Sequence, residues 1–108
     1  MSRKNKNFES KRTELIERFE TSSNSAYFDV EEFEIIIEYY LNFFDTESAE
    51  KALKIAFALH PNNPELLIKK SVINFYKEDF NATLQCLKNF PNPDDTEMLF
   101  WKGKALVE

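Results

Sequence analysis

DVEEFEIIIEYYLNFFDTESAEKALKIAFALHP, residues 29–61, carries two helical stripes in succession. Phe33, Ile36, Ile37, Tyr40 and Phe44 stand at i, i+3, i+4, i+7 and i+11, a spacing that gathers them on one face of a helix. Asp29 precedes the stripe and Glu32 follows three residues later, an Asp form of the capping box that satisfies orphan N–H groups. Asp45-Thr46 interrupts the pattern and offers a new N-cap. Ala49, Ala52, Leu53 and Ala56 then form a second stripe, rich in alanine where helices must approach closely. His60-Pro61-Asn62-Asn63-Pro64 ends it, with Asn63 placed as the next N-cap and Pro64 at the first helical position. The stretch predicts a helical hairpin.

The same grammar continues on both sides. Toward the C-terminus it predicts a helix over about 64–76, a turn at Lys77–Asp79, a shorter helix over about 80–89 and a Pro91–Asp95 break. A last helix from near Thr96 carries Leu99, Phe100, Trp101, Gly103 and Leu106. Short loops make successive helices antiparallel neighbours. Toward the N-terminus, residues 1–7 are polar and basic and are expected to fray. Phe8, Leu15, Ile16 and Phe19 predict an amphipathic helix to about residue 21, with a polar loop over 21–25. A single glycine leaves little material for tight β-hairpins, and the four prolines fall in two pairs between helices. The expected class is all-α, with about six helices: a basic tail and N-terminal helix over 1–24, then a repeat domain over 25–108.

The hairpin repeats. Residues from Val30 onward overlay those from Pro64 and again those from Thr96, at offsets of 34 and 32. A helix-turn-helix period near 34 resembles the tetratricopeptide repeat. Phe33, Ile36, Tyr40, Ala49, Leu53, Ala56 and Pro61 match the motif in the first copy. Ile37 departs from it, and so does Phe44, where the family often has glycine. In the second copy Leu67, Ser71, Phe80 and Leu87 fit, while Lys70, Asn74 and Thr83 depart. The third copy supplies one helix, with Leu99, Gly103 and Leu106 in place. The resemblance implies a right-handed α-α solenoid whose first helices line a concave groove for a peptide or protein segment.

Carried onto this chain, the groove positions implied are Glu31, Glu34, Glu38 and Leu41, then Ile68, Val72, Phe75 and Tyr76, then Phe100 and Lys104. Ile68, Val72, Phe75 and Tyr76 lie on a face distinct from the Leu67/Ser71 stripe and read either as a pocket for a partner's side chains or as a surface covered by another element. Glu31, Glu34 and Glu38 read either as an acidic edge selecting basic ligands or as a solvated helix face favoured by the macrodipole. The family's subtype that clamps a carboxylate uses lysines and asparagines here, and Glu34 and Glu38 argue against that role.

Charge is uneven. Residues 1–18 hold six bases and three acids, residues 19–50 nine acids and no base, and the net charge is −5. That balance argues against nucleic-acid binding through the N-terminal bases. Ile35–Ile37 is flanked by glutamates, and no run is long enough to cross a bilayer. The polar N-terminus reads as no signal peptide, and lone Cys86 as a small buried residue rather than a nucleophile, in a reducing compartment, so the expected location is cytoplasmic. His60, the one histidine, is placed to complement a helix C-terminus; with no second ligand at metal spacing, no metal, cofactor or catalytic role is expected. Two functions remain: an adaptor binding a protein segment in the groove, or a self-assembly module. The second rests on the half repeat, whose Phe100, Trp101 and Leu106 leave apolar surface for another chain or mark a fragment of a longer array.

Overall fold

Every helix but the first is entered through an Asx side chain. In the computed structural model, which describes residues 3–22, 26–88 and 90–107 with side chains from Glu9 onward, the order is α1 (Arg3–Ser22), α2 (Val30–Asn42), α3 (Thr46–Leu59), α4 (Pro64–Tyr76), α5 (Phe80–Lys88) and α6 (Thr96–Val107). The Asp29 box closes in both directions: the Glu32 N–H donates to Asp29 Oδ1 at 2.8 Å, and the Asp29 N–H to Glu32 Oε1 at 2.9 Å. Asp45 accepts from the Ser48 N–H, Asn63 from those of Glu65 and Leu66, Asp79 from that of Ala82, and Asp95 from that of Met98. Each bond satisfies a donor that the helix itself leaves unpaired.

The two turns inside the hairpins share one geometry. At the end of α2 the Phe44 N–H donates to Leu41 O and the Asp45 N–H to Tyr40 O; at the end of α4 the Glu78 N–H donates to Phe75 O and the Asp79 N–H to Asn74 O. This is a Schellman closure, and its last residue is at once the N-cap of the next helix. The pivot residues take left-handed backbone, φ 55° at Phe44 and 61° at Glu78. They stand 34 residues apart, so the sequence period reappears as a backbone period.

Helices α2 and α3 pack together, as do α4 and α5. The first helices also pack on each other, α2 on α4 and α4 on α6, while α3 meets α4 and α5 meets α6. Helix α1 packs on α2 alone among the described elements. Phe28, Phe33, Ile36, Ile37, Leu66 and Ile73 are fully enclosed, with Ala49, Ala52 and Ala56 permitting close approach of α3. The buried hydroxyls are satisfied: Ser71 donates to Leu67 O, and Thr83 to Asp79 O and Ser71 O, so Thr83, a polar departure from the motif, fits against α4. The Cα radius of gyration is 14.5 Å, slightly above the roughly 13 Å of a compact chain this long.

Two expectations about the N-terminus change. The helix begins at Arg3, inside the segment expected to fray, because no proline or glycine interrupts it and its Lys, Arg, Asn and Glu residues have no strong bias against helix. It also runs through Thr21 and Ser22; the rest of the expected loop, 23–25, and the Phe8 side chain lie outside the described residues. Leu15, Ile16 and Phe19 are buried as expected. Arg18 adds an ion pair to Glu32 at 3.2 Å and lies 4.6 Å from the centre of the Phe28 ring. No helix among the described residues is long and apolar enough to cross a membrane.

Candidate functional site

Positions four and three residues apart on α4 and α6 bring one face of the first helices together. Glu65, Lys69 and Tyr76 follow i, i+4, i+11 on α4, and Glu97, Trp101 and Lys104 follow i, i+4, i+7 on α6. Glu34 and Glu38 stand beside them on α2. The two ends of this face differ in chemistry.

The end nearer the starts of α4 and α6 is acidic. Lys69 Nζ donates to Glu38 Oε1 at 2.6 Å; the lysine side chain is 7% exposed and the glutamate 58%. Burial holds the Glu34 carboxyl above its ordinary value of 4.5; Lys69 opposes the shift, and the charges of Glu65, Glu38 and Glu97 reinforce it. Glu38, Glu65 and Glu97 thus bring negative charge from three helices to bear on Glu34, and the buried Lys69 ammonium bonds Glu38. The base absent from the acidic stretch in sequence arrives from α4, 31 residues beyond Glu38.

The other end is an aromatic recess of about 270 Å³ lined by Phe44, Phe75, Tyr76, Trp101 and Lys104. Phe75 meets Trp101 edge-on with ring centres 5.4 Å apart and meets Phe80 at 5.2 Å. Phe44 meets Tyr76 at 5.9 Å. Lys104 Nζ stands 5.6 Å from the Phe75 ring, 5.8 Å from Trp101 and 5.4 Å from Phe100, within range of attraction to their π faces. Among the described residues it makes no ion pair. Phe44 is 78% exposed although its backbone is left-handed, a region that costs a residue with a Cβ about 1 kcal/mol or more.

The expected groove residues divide accordingly. Glu34, Glu38, Phe75, Tyr76 and Lys104 lie on the shared face, and Glu31 is exposed. Phe100 is 56% exposed and touches Trp101 and Lys104 from outside the recess. Ile68 and Val72 are a correction: both are core, 3% and 5% exposed, and Leu41 is buried with them. Helix α4 is enclosed by α2, α3, α5 and α6, so a second apolar stripe is what its packing requires. Sequence reading did not place Lys69, Phe44 and Trp101 on this face. The signal for Phe44 was present, since a bulky residue stood where the resembling family has glycine.

The remaining candidates for chemistry serve the fold. His60 caps α3, and its Nε2 donates to Phe28 O at 2.8 Å, with Tyr27 and Phe33 edge-on to the ring. Cys86 is half-buried and accepts from Asn74 Nδ2 at 3.6 Å. Comparison with models of known families, with curated proteins and with solved structures finds no match.

Proposed function

We propose that the chain is a tetratricopeptide-like interaction module, a right-handed stack of helical hairpins that captures a peptide or protein segment on the face shared by α2, α4 and α6. The observation that carries this reading is the exposed aromatic recess on that face. Phe44 and Tyr76 keep large apolar surface in water beside Lys104, which makes no ion pair among the described residues, an arrangement that gains stability when something covers it. The packing of first helix on first helix and the 34-residue recurrence of the Schellman turn support the stack. The module binds and does not catalyse, uses no cofactor or metal, and works in the cytoplasm, where Cys86 stays a thiol.

A photo-crosslinking residue at position 44 tests this directly. It labels a discrete partner segment in cell extract, whereas the same residue at exposed Lys54 on α3 does not. Equal labelling at both positions moves the site off this face. A second reading, self-assembly, draws on α6, where Leu99, Phe100, Leu106 and Val107 are 48%, 56%, 64% and 83% exposed. Sedimentation over a hundredfold concentration range separates the two: a mass that rises with concentration and falls back on Leu106→Glu supports assembly.

A further inference from the structure

We infer that the segment this face accepts is bipolar: an uncharged aromatic or large aliphatic side chain fills the recess, and a lysine or arginine three to five residues away lies against Glu34, Glu38, Glu65 and Glu97. The inference rests on the groove reading above and specifies its ligand.

Charge complementarity sets the basic residue. Glu34 lies within electrostatic reach of Glu38, Glu65 and Glu97, carboxylates of α2, α4 and α6, and Lys69, the base among them, is buried and already bonded to Glu38. A cation arriving at this end lowers the repulsion that, with burial, holds the Glu34 carboxyl up. It also meets exposed partners, since Glu38 keeps 58% of its side chain in water.

The recess sets the anchor and its register. Its walls are the rings of Phe44, Phe75, Tyr76 and Trp101, and Lys104 stands over three aromatic rings of this region without an acidic partner among the described residues. An uncharged ring or branched aliphatic side chain gains contact with these walls, whereas a cationic one is repelled by Lys104. The same lysine therefore directs the ligand's base to the far end. From Glu65 or Lys69 to Tyr76 is seven to eleven residues of helix, roughly 10–16 Å at 1.5 Å per residue, which an extended peptide spans in about three to five residues. Phe44 is the wall most specific to this use. It keeps its ring in water at a left-handed position where glycine would fit without strain, and its repeat counterpart Glu78 places no ring there.

Selection from a displayed library of random dodecapeptides tests this, with Trp101, the single tryptophan, as an intrinsic fluorescence reporter. Enriched peptides carry Lys or Arg three to five positions from an aromatic or large aliphatic residue, and on synthesis with blocked termini they shift Trp101 emission. Their affinity falls roughly three- to tenfold in Glu97→Lys, an exposed site outside the core, and at least as far in Phe44→Ala, with helicity kept in both. Enriched peptides that lose binding in Phe44→Ala yet carry no basic residue overturn the bipolar ligand and leave the groove reading standing. No enrichment over the bare support, or binding indifferent to Phe44→Ala, overturns both.

Discussion

Phe44 and Glu78 occupy the same left-handed turn position, yet only Phe44 reaches the recess. Glycine at either site removes the Cβ clash, so Glu78→Gly and Phe44→Gly are each expected to stabilise the fold by about 0.5–1 kcal/mol, a rise of several degrees in Tm. The Phe44 gain is the smaller because the Tyr76 ring contact is lost. Thermal unfolding by circular dichroism checks both. Glu78→Gly leaves ligand capture unchanged, and Phe44→Gly abolishes it. Glu34 gives a pH signature. Its folded pKa lies above the ordinary 4.5, so the folded state binds the proton more tightly and this residue adds stability as pH falls through the raised value toward 4.5. Asp45 runs the other way: hydrogen bonds from Ser48 depress its pKa below 3.8, and its contribution is present above that value and lost as pH falls through the depressed one. Denaturant titrations from pH 4 to 7 should show Glu34→Gln more stable than the parent at pH 7, with the difference vanishing near pH 4.

At the scale of elements, the helices were legible because their boundaries are local chemistry. The predicted caps at Asp29, Asp45 and Asn63 all accept from first-turn N–H groups, and the proline pairs fall between helices. What periodicity could not supply was enclosure. An apolar stripe at Ile68 and Val72 looks the same whether it faces a ligand or a neighbouring helix, and only the packing of α4 on four partners decides that it is core. Lys69 escaped notice for a related reason: its partner Glu38 is distant in sequence, and an ion pair between helices leaves no mark at helical spacing. The docking of α1 depends on a similarly distant bond. Tyr40 Oη donates to Glu20 Oε2 at 2.9 Å, and burial together with that carboxylate pushes the phenol pKa well up. Removing the hydroxyl in Tyr40→Phe is expected to cost about 1–2 kcal/mol. Amide exchange along α1 should accelerate more than along α3, because α1 packs on α2 alone among the described elements. Equal acceleration throughout would mean that α1 opens only with the whole molecule.

Across the whole molecule, burial is graded. Helices α2, α3 and α4 each bury four to six residues, whereas α5 buries Thr83 and Leu87, and α6 Met98 and Ala105. Segments with few buried contacts open before the rest of the molecule, so the thinly buried end opens first. Native-state hydrogen exchange at low protein concentration should therefore find α5 and α6 opening below the global unfolding free energy and α2 to α4 at it. The recess draws Phe75 and Tyr76 from the stable part and Trp101 and Lys104 from the labile part. A ligand seated there binds only when α6 is docked, so it must raise α6 protection by RT ln(1 + L/Kd), growing with the free ligand concentration L, while leaving Glu78→Gly and parent indistinguishable in affinity. Self-assembly through α6 leaves a different trace, protection that grows with protein concentration in the absence of any peptide. Protection that responds to neither would make the labile end a property of the fold alone and remove α6 from the binding face.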